Sequence, residues 1–278
     1  MNKLPLVSIL TALYNHEGYV KESLDSILQE EYSNLELIIV NDGSTDNSEE
    51  VVKKWIEENS HLIKVIYICR PNKGICATAN ELINRANGKY IVWLPSDDIL
   101  INNTIKDRVS ILENSPDKLV LLSDAAVINS KGEKVGDSSM EHHQVNKDNY
   151  HTVDGIIKQT IQGLGISGAT LFVNKEIYNL VGLYPENLAA EDWYFFQRAA
   201  SKEKILFWDK TVSLYRIHDK NTSHALNYKI FSSIIASFVK NYFQFPNWYY
   251  RYLATVQIVK LSLIYMKVRA KVLIHELS

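Results

Sequence analysis

The sequence predicts an α/β fold, a sheet with parallel strands covered by helices and continued by a helical C-terminal extension. Three observations carry this expectation. Over the first 125 residues, short β-rich runs alternate with segments of helical period. After Asp124 that rhythm gives way to a polar stretch before strands and helices resume. From Tyr228 onward the chain reads as helical, aromatic and basic. With 278 residues, 46% of them apolar and 22% charged, the chain can bury one large core with an appendage, and neither disorder nor a fibrous repeat fits.

The elements follow in order. Val7 to Leu13 (VSILTAL) reads as a buried strand, and Tyr19 to Leu28 as an amphipathic helix with Val20, Leu24, Ile27 and Leu28 on one face. Leu35 to Val40 is a second strand, followed by a turn-rich loop in which Asp46 is the expected N-cap of a helix through Trp55. Ile63 to Ile68 is a third strand, Ile75 to Ala86 a helix, and Tyr90 to Leu94 a fourth strand ending on Pro95-Ser96-Asp97-Asp98. A helix over Thr104 to Leu112 and a strand over Leu119 to Leu122 complete a Rossmann-like half. Asn129 to Asp154, polar and carrying Gly132, Gly136 and His142-His143, is expected to be a hairpin plus a long loop. Ser167 to Val173 resumes as a strand, Lys175 to Val181 and Glu191 to Ala200 as helices, and Ile205 to Tyr215 as paired strand structure.

Charge and cysteine content exclude several functions. Thirty Lys and Arg against thirty-two Asp and Glu remove any global reason to expect nucleic acid as partner. Cys69 and Cys76 are too few for a disulfide framework or a four-ligand zinc site, and a reducing, cytoplasmic setting is expected. The N-terminus carries no signal-peptide pattern, and basic residues interrupt the apolar stretch from Tyr249 to Leu277, so no transmembrane segment is expected. No dinucleotide, P-loop or nucleophile-elbow motif occurs.

In an open α/β sheet, ligands gather at the carboxyl ends of the strands, and Asp42 and Asp97-Asp98 both follow predicted strands. A single Asp there is well explained as a turn or cap residue. Adjacent carboxylates repel unless a cation neutralises them, and hard oxygen ligands suit Mg²⁺ or Mn²⁺. Glu191-Asp192 reads on its own as the acidic first turn of a helix. His142-His143 and the two cysteines extend into no ligand spacing and read as loop and core residues.

The runs VSILTALYNHEGYVKESLDSIL, LELIIVNDGSTDNS, PNKGICATAN and GKYIVWLPSDDIL, then VGLYPENLAAEDW and LYRIHDKNTS, resemble family-two glycosyltransferases with the GT-A fold over roughly residues 5 to 223. The resemblance implies a GT-A type Rossmann-like mixed sheet flanked by helices. It also implies inverting, metal-dependent transfer of a hexose or N-acetylhexosamine from a UDP-sugar to a hydroxyl of a glycan, glycoconjugate or glycosylated protein. Thr11, Tyr14 and Asn15 would then lie against the base, and Asp42 would accept a hydrogen bond from the uracil N–H. Asn72, Lys73 and Gly74 would pass close to the nucleotide, with Asn80 on the following helix. Asp97 and His218 would hold Mn²⁺ or Mg²⁺, with Asp98 as an auxiliary group. Asp192, beside Glu191, would be the general base, and Arg216 would help stabilise the departing diphosphate. The motif departs from the common Asp-x-Asp-Asp in carrying Pro95 first, so the ribose contacts of that carboxylate have no counterpart.

Two other readings compete. A nucleotidyltransferase would need a glycine-rich basic loop that Ala12 to Gly18 lack, and a degenerate sugar-nucleotide-binding scaffold would account for Pro95. The expected organisation is a catalytic domain over residues 1–225, divided into nucleotide-binding (1–125) and acceptor (126–225) halves, with a helical extension over 226–278. That extension carries apolar residues at helical spacing flanked by Lys and Arg, which suits a homo-oligomer, slightly preferred, or peripheral contact with an anionic inner membrane face. Acceptors would be glycans, lipid-linked or protein-linked.

Overall fold

The computed structural model describes residues 4–189, 191–219, 221 and 228–277, with side chains described up to residue 272. Strand β1 (Val7–Leu13) leads through a tight loop into α1 (Val20–Ile27), then β2 (Leu35–Asn41), α2 (Ser48–Asn59), β3 (Lys64–Cys69), α3 (Ile75–Arg85) and β4 (Tyr90–Trp93). The short β5 (Ile99–Leu100) follows, then α4 (Ile105–Glu113), β6 (Val120–Ile128), β7 (Lys134–Gly136), α5 (Ser139–His142) and α6 (Val153–Gln162). The remainder is β8 (Phe172–Asn174), α7 (Ile177–Val181), α8 (Glu191–Ser201), β9 (Ile205–Arg216), α9 (Tyr228–Asn241) and α10 (Trp248–Leu277).

Among the described residues these strands form one mixed sheet ordered β3-β2-β1-β4-β8-β6-β9-β5, with β7 paired to β6. The β3-β2-β1-β4 part is parallel, as the alternating rhythm requires. β8 runs antiparallel between β4 and β6, and β9 lies parallel to β6 and antiparallel to β5. Strand alternation separates two cores. Ile9 and Leu13 of β1 pack with Val20, Leu24 and Ile27 of α1 and Trp55 of α2, whereas Leu10 packs with Cys76, Ala79 and Leu82 of α3 on the other face.

Several boundaries differ from expectation. Asp46 accepts the Ser48 N–H at 3.0 Å and the Glu17 N–H at 3.1 Å, while Asn47 occupies the N-cap position of α2. β6 continues past Leu122 to Ile128 because β9 offers a partner along its length. The segment expected as hairpin and loop holds the hairpin (β6 with β7) but then folds into α5, a 3₁₀ turn over Lys147–His151, and α6. Thr152 caps α6 by accepting the Gly155 N–H at 3.0 Å, and Ile156, Ile157 and Ile161 bury its inner face. Ser167 to Val173 opens as a 3₁₀ turn and becomes a strand at Phe172.

The C-terminal helices pack back onto the molecule. Ile234, Phe238, Phe245, Tyr250 and Ala254 join the core shared with Phe195 and Ala199 of α8, and Asn241 Nδ2 donates to the Tyr194 carbonyl at 3.0 Å. A second stripe on α10 stays exposed: Tyr249, Tyr252, Val256, Val259, Leu263 and Met266. No helix among the described residues is long and apolar enough to cross a membrane.

Candidate active site

At the carboxyl ends of β1, β2 and β4 lies a cavity of about 710 Å³ whose wall is completed by Ser167, Gly168, the start of α8 and Asn221. Its floor is built by loops that cross closely. Asn15, held at φ 56°, accepts the Thr45 N–H at 2.7 Å, and its own N–H donates to Ser44 Oγ at 3.0 Å, which locks the β1 and β2 loops together. The Asp42 N–H donates to the Leu13 carbonyl at 2.9 Å. Its carboxylate accepts the N–H of Lys73 at 2.8 Å and of Gly74 at 3.0 Å. Arg70 pairs with Asp42 as well and is held by Glu81 at 2.8 Å and Thr78 at 2.9 Å. Glycine is required at two points here: a Cβ on Gly43 would stand 2.7 Å from the Asn72 nitrogen, and Gly74 sits at φ +87°.

Asp97 and His218, 121 residues apart, meet as expected, with Nε2 to Oδ2 at 3.0 Å. His16 joins them, its Nε2 4.0 Å from the same Asp97 oxygen. One donor atom from each of the three lies within 4.8 Å of the others. Two imidazoles and a carboxylate converging on one point fit a divalent cation. Asp98 points away from them: it is buried and accepts the Arg216 N–H at 3.0 Å, and burial, together with the neighbouring Asp97 charge, holds its carboxyl well above the usual range. It fastens the metal loop to β9. Pro95 packs on Gly168, where an added Cβ would come within 2.7 Å of its ring.

Glu191 and Asp192 open α8 and face the cavity. Burial raises both carboxyls above their ordinary values, and for Glu191 the adjacent Asp192 charge adds to the effect. The Trp193 N–H donates to Asp192 Oδ1 at 2.8 Å. The cavity is therefore lined by Asp42, Asp97, Asp98, Glu191 and Asp192, with no Lys or Arg among its described lining residues.

Tyr14, Asn15, Asp42, Asn72, Gly74, Asp97, Asp98, Glu191 and Asp192 all line this cavity. Four residues expected at the nucleotide do not, the first being Lys73, whose backbone N–H holds Asp42 while the residue stays outside the lining. Thr11 is fully buried on the α1 face of the sheet, since it shares strand parity with Ile9 and Leu13. Asn80 is spent on a reciprocal pair with the backbone of Tyr184, at 2.8 and 2.9 Å. Arg216 is buried with its guanidinium turned to Glu22 at 2.6 Å, the Asp97 carbonyl at 2.8 Å and the Asn129 carbonyl at 3.3 Å, so it braces the metal loop from behind. His16 and Arg70 were not anticipated. No spacing in the sequence links His16 to Asp97 or His218, which the fold brings to it from 81 and 202 residues away.

A sheet of this topology with a carboxylate-lined cavity and a His/Asp cluster at its strand ends defines the class of GT-A glycosyltransferases. Comparison with known proteins agrees. The family model described as Glycosyl transferase family 2 matches residues 8–178. An uncharacterized glycosyltransferase of Rickettsia prowazekii (strain Madrid E) is 30% identical over 231 residues, which cover 80% of this chain and 68% of the relative. An uncharacterized glycosyltransferase of Rickettsia typhi is 29% identical over the same shares of each chain. The chain belongs to glycosyltransferase family 2. Among solved structures, S. aureus TarS 1-349 in complex with UDP-GlcNAc superposes with a TM-score of 0.62 at 21% identity, covering 84% of this chain and 66% of that one. The mannosyltransferase PcManGT from Pyrobaculum calidifontis, in complex with GDP-Man and Mn²⁺, gives 0.68 at 16% identity over 97% of this chain and 76% of that one. These likenesses establish the GT-A fold.

Proposed function

We propose that the chain is an inverting, divalent-metal-dependent glycosyltransferase that moves a hexose or N-acetylhexosamine from a UDP-sugar to a hydroxyl of a glycan, lipid-linked or protein-linked acceptor. One observation carries the reading: a single cavity is lined by Asp42, by His16 and Asp97 with His218 directly behind Asp97, and by the Glu191-Asp192 pair, and no described Lys or Arg lines it. A diphosphate entering a cavity that carries the Asp97 carboxylate and no described Lys or Arg needs a positive counter-charge. Asp97 and His218 would hold a cation that neutralises the diphosphate as its bond to the anomeric carbon breaks. Asp42, fixed by Arg70 and two backbone N–H groups, keeps acceptor capacity on Oδ2 for the N–H of a uracil ring. The bound ligands of TarS and PcManGT support a nucleotide-sugar donor, and the acceptor-only carboxylate at Asp42 supports UDP.

Asp192 takes the proton of the acceptor hydroxyl as its oxygen attacks. Its raised pKa makes it a stronger base near neutral pH than an ordinary aspartate. The reaction is a single displacement, and an α-linked donor gives a β-linked product. The test is the anomeric proton coupling of the product by NMR, alongside Asp192→Asn. The variant should lose turnover by roughly 10²–10⁴ with donor affinity nearly unchanged. An α-linked product from an α-donor removes the base from this role.

For the exposed stripe on α10, we take an anionic membrane surface as the occupant. Residues 228–275 contain Lys229, Lys240, Arg251, Lys260, Lys267, Arg269 and Lys271 and no acidic residue. Two copies of the stripe, parallel or antiparallel, would face Lys260 and Lys267 with basic or neutral side chains, which weighs against the homo-oligomer. Sedimentation with anionic but not neutral vesicles is expected. A dimer by light scattering together with no vesicle binding restores self-association.

A further inference from the structure

We propose that His16 is a third protein ligand of the cation site, so that the chain binds its metal through two imidazoles and one carboxylate before any nucleotide arrives. This deepens the metal-dependence reading above and rests on it only for the use to which the cation is put.

The geometry is specific. Asp97 Oδ2 lies 3.0 Å from His218 Nε2 and 4.0 Å from His16 Nε2. Metal–donor lengths near 2.1 Å place neighbouring donors about 3 Å apart, so roughly 1 Å of side-chain movement brings His16 into the sphere. Its ring is already aimed: Nδ1 bonds the buried Ser96 hydroxyl at 2.8 Å, which leaves Nε2 toward Asp97. Such outer contacts set which ring nitrogen meets a metal. The backbone is fixed as well, since the His16 N–H donates to Ser48 Oγ at 2.9 Å and its carbonyl accepts from Tyr19 and Val20 at 3.0 Å. Tyr19 stacks on His218 with centroids 4.7 Å apart and meets His16 edge-on at 6.0 Å, so one ring positions both imidazoles.

The donor count gives the arrangement its purpose. Pro95 packs on Gly168 and offers no side-chain donor, which leaves the two imidazoles and the Asp97 carboxylate as the clustered ligands among the described residues. Imidazole nitrogens shift preference away from Mg²⁺, which favours oxygen ligands, toward transition-metal ions, of which Mn²⁺ is the weakest bound. The site is therefore expected to prefer any of these to Mg²⁺, and Mn²⁺ is the most demanding probe of that preference.

The test uses the full chain without nucleotide. Mn²⁺ is titrated in while the spectrum of the aqueous ion is followed by electron paramagnetic resonance. One Mn²⁺ per chain is expected, tenfold or more weaker in His16→Gln, and not displaced by a hundredfold excess of Mg²⁺. No binding without UDP, unchanged affinity in the variant, or displacement by equimolar Mg²⁺ each overturns the proposal. If His16→Gln fails to fold by circular dichroism, the unaltered chain is read by imidazole ¹H–¹⁵N NMR at substoichiometric Zn²⁺, which is diamagnetic. A ligation shift of Nε2 in His16 as well as in His218, with His142 and His143 unmoved, supports the assignment, and a shift of His218 Nε2 alone refutes it. A chain that binds Mn²⁺ this way yet transfers no sugar loses the proposed function and keeps this site. An active enzyme that takes Mn²⁺ only with UDP does the reverse.

Discussion

Replacing Asp42 by Asn tests how the nucleotide floor is held. The carboxylate accepts two backbone N–H groups, one on each oxygen, and pairs with Arg70, and both side chains are about nine-tenths buried. An amide keeps one acceptor oxygen. In its better orientation the oxygen still meets Lys73 and Arg70, while the NH₂ faces the Gly74 N–H, donor against donor. The Gly74 N–H keeps a second acceptor in Asn72 Oδ1 at 3.1 Å and is half-exposed, so the donor clash costs about 1 kcal/mol, and reducing a charge-assisted bond to a neutral one removes about another 1 kcal/mol. Asp42→Asn should therefore lower stability by about 2 kcal/mol in urea unfolding. The same NH₂ takes the place of the Oδ2 acceptor, so UDP affinity by calorimetry should fall by 1–3 kcal/mol, roughly fivefold to 150-fold. A variant as stable as the parent with unchanged UDP affinity would refute both the loop argument and the base contact.

Three further outcomes are expected. Turnover should disappear in EDTA and return with Mn²⁺, and Asp97→Ala should lose most activity while its unfolding curve stays within about 1 kcal/mol of the parent, since Asp97 lies at the cavity edge. Because Asp192 acts ionised and burial raises its pKa, activity should climb with pH along a limb lying above the ordinary aspartate range, and Asp192→Asn should flatten that limb in a pH–rate profile. Glu36, buried in β2, is pushed up by burial, but the Asn87 N–H at 2.7 Å, the Ser8 hydroxyl at 2.7 Å and Lys64 at 3.1 Å outweigh this and leave its pKa lowered. Its stabilisation is thus present above the unfolded glutamate pKa and lost as pH falls through the lower folded value, and Glu36→Gln should shrink the loss of urea stability between pH 6 and about pH 3.

The parallel half of the sheet and its acidic strand ends were legible because apolar runs, turns and amphipathic segments are local signals. Thr11 shows what position without facing conceals: its strand was recognised, but parity with Ile9 and Leu13 turns it from the nucleotide. Asn80 and Arg216 lie off the cavity for a different reason, since the partners that hold them, Tyr184 and Glu22, lie 104 and 194 residues away in sequence. α6 was missed although Thr152 and the apolar positions 153, 156, 157 and 161 form a cap and a helical stripe, because the polar residues before it dominated the reading. His16 carried no ligand spacing at all. Its companions arrive from loops 80 and more residues downstream.

The pairing of β9 with β5 and β6 bears on the order in which the molecule is assembled. Tyr14, Asn15, Asp42, Asn72 and Gly74 belong to parallel strands and loops complete within the first 75 residues, whereas Asp97 and His218 are joined only when β9 docks and Arg216 bonds Asp98. Contacts of such sequence separation form late. A chain still emerging from the ribosome would thus own a nucleotide floor before it owned a cation site. In the finished protein, a local opening at the β9 seam would part the two again, and amide exchange at Arg216 and Ile217 should be quenched by bound metal more than by UDP.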